Sequence, residues 1–289
     1  MKLAMTLPIK NHAYLIKQNI LYHHTQGIDC FVVMLNNSED DSEKILQELA
    51  KNIDIISYRK TDEIFMDAEF RLEMAIKARD ILKADWIVNN DIDEFWITSN
   101  EKNLKSNLEE LSTKFNTVYA ERYNFIPYIE DGEAYKSPPE SFKYIVNNPQ
   151  KIDKSRPFSE ISPLEFMLKT NAGKATCSLK GLTYIAAGSH EVQIENYSKT
   201  ISDNLSILHY PFSTKETLKK EIYKKVENVL KDVTLKENQN WHVKLFEYLI
   251  NTNNIETFIN ELFPDKDIIT NLLAKNLITK ETSIYDFFK

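Results

Sequence analysis

Residues 3–123 alternate between strand-like and helix-like stretches, and this alternation limits the fold more than any other feature of the chain. Leu3–Leu7, Cys30–Leu35, Ile53–Tyr58, Asp85–Asn90 and Thr117–Tyr123 read as strands. Between them, helices are predicted over Asn11–His24, from Ser42 through Ile45, Leu46 and Leu49, over Asp67–Leu82, and over Leu104–Phe115. The stretch Cys30-Phe31-Val32-Val33-Met34-Leu35 is apolar without a break, as a strand buried on both faces of a parallel sheet must be. Strand and helix in strict succession imply βαβ units. The expected fold class is therefore α/β, a Rossmann-like, mostly parallel sheet flanked by helices.

The pattern changes twice along the chain. Residues 126–165 hold Pro127, Pro138, Pro139, Pro149, Pro157 and Pro163 with little periodicity, which reads as an excursion over the sheet. Strands resume near Ala175–Ala186 and Leu205–His209. From Thr214 the spacing of Leu218, Ile222, Val226 and Val229 is helical, followed by Trp241–Phe263 and Ile268–Leu277. The expectation is a domain over 1–213 and a C-terminal helical extension over 214–289.

Composition removes several function classes. Of 289 residues, 36 are Lys or Arg and 43 are Asp or Glu, a net charge of −7, so no nucleic-acid partner is expected. Two cysteines, Cys30 and Cys177, cannot build a disulfide framework, and Cys30 reads as a buried reduced thiol. The apolar runs fall far short of the ~20 residues of a spanning helix. With no leader-like N-terminus, a cytoplasmic location is expected. Only five glycines are present, and G-x-G-x-x-G, G-x-x-x-x-G-K-[ST] and G-x-S-x-G are all missing. A dinucleotide oxidoreductase, a P-loop NTPase and an α/β-hydrolase are thereby disfavoured.

The sharpest chemical feature is Asn90-Asp91-Ile92-Asp93-Glu94-Phe95-Trp96, directly after an apolar strand. In extended chain, residues two apart point the same way, so Asp91 and Asp93 can converge on one ligand. They would do so at the carboxyl end of a sheet strand, where open α/β sheets bind ligands. A divalent cation relieves the repulsion of paired carboxylates, and oxygen donors favour Mg²⁺ or Mn²⁺.

These motifs resemble a bacterial branch of the family-2-type glycosyltransferases, which have the GT-A fold and a strand reading W-(apolar)-x-x-D-x-D-E-F, here Trp86 to Phe95. Ile9-Lys10-Asn11-His12, His23-His24-Thr25-Gln26-Gly27, Asn36-Asn37-Ser38-Glu39-Asp40 and His209-Tyr210-Pro211 match further pieces of that pattern in order. His12 stands where the family usually has Glu, and Asn36-Asn37 replaces a more glycine-rich loop. The resemblance implies a nucleotide-sugar donor, a uridine nucleotide first among the bases. Leu7, Lys10, Asn11, Asn36 and Asn37 would line its pocket, with Arg71 meeting phosphate or base or else lying on a solvated helix face. Asp91 would contact the ribose or a metal-bound water, and Asp93 would hold the cation. His209, and after it His190, would complete the metal site.

An acceptor base should follow the D-x-D strand. Glu130, Asp131, Glu160, Glu165 and Glu191 are available, with Glu191 preferred for its place between His190 and His209. His23 and His24 are expected to pack or cap a helix end, His242 to be structural, and Lys174 and Lys180 to face either pyrophosphate or solvent. Six lysines between Thr214 and Lys231 would suit peripheral contact with an anionic membrane or an ordinary solvated helix face. The resemblance implies an inverting transfer to a glycan, lipid-linked glycan or glycoconjugate in surface polysaccharide assembly. A catalytically inactive GT-A scaffold that only binds a partner is the alternative. No heptad pattern speaks to oligomeric state.

Overall fold

The computed structural model describes residues 1–60, 67–231 and 241–289, with the side chains of 228 and 231 excepted. In chain order the first elements are β1 (Leu3–Ile9), α1 (Ala13–Thr25), β2 (Cys30–Asn36), α2 (Ser42–Leu49), β3 (Asp54–Lys60) and α3 (Asp67–Asp80). Then come β4 (Trp86–Asn89), β5 (Glu94–Thr98), α4 (Leu104–Ser112), β6 (Thr117–Asn124), β7 (Tyr144–Val146) and α5 (Pro163–Met167). The last strands are β8 (Lys174–Ser178), β9 (Leu182–Ile185), β10 (Val192–Ile194), β11 (Lys199–His209) and β12 (Ile278–Lys280). Helices α6 (Lys215–Lys231), α7 (Trp241–Asn251), α8 (Ile255–Glu261), α9 (Lys266–Ala274) and α10 (Ser283–Phe287) complete the chain. Among the described residues no helix is long and apolar enough to cross a membrane.

Two compact units form, Met1–Tyr123 with Ala172–His209, and Asn124–Asn171 with Tyr210–Lys289. The first unit carries a sheet ordered β3-β2-β1-β4-β8-β6-β11-β5. Its β1, β2, β3 and β4 pair in parallel, whereas β8 runs antiparallel between β4 and β6, and β5 antiparallel to β11. The expected α/β class with a mainly parallel sheet is what forms.

Alternation along the strands builds two cores. Leu3, Met5, Leu7, Phe31, Val33 and Val88 pack with Leu15, Ile16 and Ile20 of α1, Leu46 of α2 and Leu104 of α4. On the other face Ala4, Cys30, Val32, Met34 and Ile87 pack under Phe70, Met74, Ala75 and Ala78 of α3. Each fully buried large apolar side chain contributes about 1.5–3 kcal/mol. The helix expected over Asp67–Leu82 ends at Asp80, and Ile81, just past that end, is exposed. Burial raises the Cys30 thiol to about 11, as expected for an inert buried cysteine. Gly27 lets the chain turn after α1 at φ +90°, where an added Cβ would lie 2.6 Å from the Lys105 Cβ.

The second unit has its own core, in which Ile126, Tyr144, Val146 and Phe166 pack with Leu218, Ile222 and Val226 of α6 and with Leu245, Phe246 and Phe258. Strand β12 pairs with β7. The structure therefore divides the chain differently from the expected 1–213 and 214–289. The proline-rich excursion groups with the C-terminal helices because its apolar residues are buried among theirs, a long-range pairing that local periodicity does not encode.

Candidate functional site

The D-x-D segment is a tight turn between β4 and β5, two strands far apart in the sheet order. Its backbone is closed by Glu94 N–H to Asp91 O at 3.1 Å. Buried amides hold it from behind. Asn19 of α1 donates to Ile92 O at 2.9 Å and Glu94 O at 2.8 Å, and Asn90 donates to Glu94 O at 3.0 Å while accepting from the Trp96 indole at 3.1 Å. His23 accepts from Trp96 N at 3.1 Å and stacks on Phe95. Burial lowers the His23 pKa to about 3, so this ring is neutral. His23 thus packs, as expected.

The two aspartates face different surroundings. Asp91 accepts from Arg71 at 2.7 Å and from Lys174 at 2.5 Å. Lys174, wholly buried, also binds Glu94 at 2.6 Å, and Glu94 binds Arg122 at 2.9 Å. Arg71 reaches back to Asp67 at 2.8 Å. Three carboxylates and three cations thus alternate in one network from α3 through the turn to β8 and β6. Burial alone would push the Asp91 carboxyl up; Lys174 and then Arg71 outweigh it and hold it well below the usual range. Asp93 instead points to His209, whose Nε2 lies 3.5 Å from its Oδ2. The register of β11 on β5 sets that meeting, because His209 is opposite Glu94. Burial raises the Asp93 pKa, but the His209 charge prevails and lowers it, with a smaller contribution from His12.

A polar face lies beside the turn, at the carboxyl ends of the parallel strands on the side that α3 covers. Alternation places Thr6, Asn36 and Asn89 there, and Thr6 donates to Asn89 Oδ1 at 3.2 Å. Among the described residues, the buried atoms Asn36 Oδ1, Asn89 Nδ2, Arg71 Nη1 and Ser189 Oγ have no hydrogen-bond partner. Buried polar groups are normally satisfied, so these donors and acceptors have hydrogen-bonding capacity that a polar ligand could use. Asn11 and Asn37 both sit at positive φ, 56° and 47°, in the loops after β1 and β2. Asn11 accepts from Glu39 N at 2.8 Å, which ties the two loops together, and Lys10 precedes it at the end of β1.

Several expected residues take other places. Leu7 is fully buried in the core against α1, because odd-numbered residues of β1 point to that face; it cannot line a pocket. Arg71 does not lie on a solvated helix face; it is buried between Asp67 and Asp91. Asp91 is already balanced by two cations. His190 donates through Nδ1 to Gly173 O at 2.7 Å and is not brought to the Asp93–His209 pair. Glu191 is exposed before β10, and its charge acts on Tyr119. Glu165 caps α5 with Ser162, Glu160 is exposed, and Glu130 and Asp131 pair with lysines of the second unit. His242 packs against Phe166, a structural place as expected. Lys174 is buried in the network and does not face solvent. Sequence reading overlooked Asn19, Asn90 and Arg122. Asn19 carried a signal, an amide on an otherwise apolar helix stripe; Arg122, within a strand, carried none.

For a divalent cation the described residues of the site offer one carboxylate and one imidazole, Asp93 and His209. Among the described residues no group of three or more His, Cys, Asp or Glu side chains gathers as a complete metal site. A two-residue set fits a hard cation whose other positions are filled by phosphate oxygens and water.

No curated protein matches the sequence. Among solved structures, the chain is similar to S. aureus TarS 1-349, at 12% identity and a TM-score of 0.42, over 81% of this chain and 66% of that one. It spans 40% of a longer TarS chain. It is also similar to glucosyl-3-phosphoglycerate synthase from Mycobacterium tuberculosis, in complex with Mn²⁺, uridine diphosphate and glucosyl-3-phosphoglycerate. That likeness has 16% identity and a TM-score of 0.32, over 62% of this chain and 57% of that one. The chain therefore spans under two thirds of these structures. The motifs alone resembled family-2 enzymes, but the family model that matches is glycosyltransferase family 92, over residues 10–246. With most of its length inside that match, the chain belongs to glycosyltransferase family 92.

Proposed function

We propose that this glycosyltransferase moves a sugar from a nucleoside-diphosphate sugar, a UDP-sugar first, onto a glycan, lipid-linked glycan or glycoconjugate acceptor, with a Mn²⁺ or Mg²⁺ ion held at Asp93 and His209. The observation that carries this reading is the convergence of Asp93 and His209 at 3.5 Å, beside strand ends that hold unpartnered polar atoms. Asn36 and Asn89 would hydrogen-bond the nucleoside, and Asn11, Asn37 and Lys10 would close over it. When bound, the cation would offset charge on the departing diphosphate. The proposal includes an inverting displacement, the D-x-D-E-F relationship to family-2 enzymes, and a cytoplasmic setting in bacterial surface polysaccharide assembly. It also includes contact of α6 with an anionic membrane through the exposed Lys219, Lys220 and Lys224.

Thermal unfolding with a panel of nucleoside diphosphates, with and without Mn²⁺, tests the reading. A ligand that binds only the folded state at 100 times its Kd adds about 2.7 kcal/mol of stability. One nucleotide should stabilise the wild type in a Mn²⁺-dependent manner, and Asp93→Asn should abolish the effect. If no nucleotide stabilises the wild type, the donor site is misplaced and a binding-only scaffold becomes the better account.

A further inference from the structure

We infer that the two aspartates of the D-x-D turn have separate tasks. Asp91 is a structural anchor, Lys174 is the positioning residue that fixes the turn, and only Asp93 is left to meet the ligand. This inference rests on the metal-dependent reading above and deepens it.

The geometry is that of a turn clamped at both ends by one ammonium group. Lys174 Nζ binds Asp91 Oδ2 at 2.5 Å and Glu94 Oε2 at 2.6 Å, the first and last residues of the four-residue turn. Asp91 N–H points at the same Glu94 carboxylate, 3.3 Å away. Between these ends, Asp93 is turned out toward His209. Lys174 and Glu94 are fully buried and Arg71 nearly so. Both Asp91 oxygens already accept from a cation, one from Arg71 and one from Lys174. Replacing either partner by a metal ion would strand a buried cation, which is strongly unfavourable. The network of Asp67, Arg71, Asp91, Lys174, Glu94 and Arg122 sums to zero charge, so it carries no net positive charge toward a diphosphate. What it supplies is a fixed place for Asp93.

The test has two arms on the full chain. The first needs no ligand. Thermal unfolding of Asp91→Asn, Lys174→Met and the double variant in metal-free buffer should show coupling, the double variant being no less stable than the worse single one. The second arm titrates Mn²⁺ by electron paramagnetic resonance in the presence of uridine diphosphate, on the folded fraction. Asp91→Asn should keep the wild-type Mn²⁺ affinity within about threefold, while Asp93→Asn loses it. Lys174→Met should weaken it at least tenfold, a change that lost stability alone would not produce, and Lys174→Arg should restore part of it. The inference is overturned if the two single variants are additive, or if Asp91→Asn folds as stably as wild type and loses Mn²⁺ as Asp93→Asn does. If the wild type binds no Mn²⁺ with uridine diphosphate, the donor reading fails, and the metal-free arm still decides the anchor.

Discussion

Lys174 and Lys143 are both withdrawn from water, one in each unit, and they are used differently. Lys143 is held by Glu130 at 2.9 Å and by both oxygens of Glu133 at 2.6 and 2.7 Å, with the Tyr285 ring 4.2 Å away. Glu130 in turn takes Lys280 and the Tyr144 hydroxyl, each at 2.7 Å. That cluster fastens the loop 130–133 to β7, β12 and α10, and its bonds turn inward on one another. The Lys174 cluster has the same ingredients with a different edge. Its two arginines each keep a buried nitrogen without a partner among the described residues, and the turn it clamps presents Asp93 outward. A buried ion pair is weak evidence for stability by itself, since desolvation offsets attraction. The comparison shows that such a cluster becomes informative through what it leaves unsatisfied. The closed cluster is a fastener, whereas the open one, on the reading proposed above, prepares a site.

Substitutions should separate the two kinds. The largest effect on activity is expected from Asp93→Asn, a loss of at least 100-fold in turnover with the unfolding midpoint close to wild type, read by sugar-transfer assay and calorimetry together. Should the midpoint fall as far as in Lys174→Met, Asp93 would be a structural member of the cluster instead. Next, Lys174→Met should cost about 3–5 kcal/mol, because it strands the buried Glu94 carboxylate, whereas Lys143→Met should cost less, because Glu130 and Glu133 reach solvent. Denaturant unfolding measures this, and only the Lys174 variant should also lose Mn²⁺-dependent nucleotide binding per folded molecule. Equal loss in both would erase the distinction.

Acid should show two smaller effects. His23 is neutral in the fold, with its pKa lowered to about 3 from 6.5, so the unfolded chain binds this proton first. Its contribution is complete above pH 6.5 and declines as pH falls toward 3, which urea midpoints at pH 7 and 5 should report. Glu130 is pulled to about 2 from 4.5 by hydrogen bonds from Lys280, Lys143 and Tyr144. Its contribution is full above pH 4.5 and is lost as pH falls toward 2. Glu130→Gln should flatten that limb by about 1–2 kcal/mol after allowing for solvent screening, with no change in nucleotide binding.

Much of the fold could be read from local patterns. The run Cys30–Leu35 announced a central strand because a strand covered on both faces has no polar positions to betray its phase. The helices α1 to α4 followed from apolar spacing, and the D-x-D turn followed from carboxylates placed after such a strand. Other features were not legible. Strand β5 begins inside the motif and crosses to the far edge of the sheet, and nothing in Glu94–Thr98 names β11 as its partner. The resemblance implies Leu7 as a lining residue at the end of its strand, but its face is set by the phase of β1 against α1. Lys174 opens a strand about 80 positions after Asp91 and looks like any surface lysine until the antiparallel ladder of β8 on β4 carries it to the turn.

The sequence by itself determined the βαβ order, the apolar faces and the pair of aspartates at a strand end, since these depend on periods of two to four residues along the chain. The tertiary structure alone decided which aspartate is held between two cations and which one faces a histidine. That choice depends on charges brought together from α3, β5, β6 and β8, and Coulomb interactions in a buried site follow distance in space rather than separation along the chain.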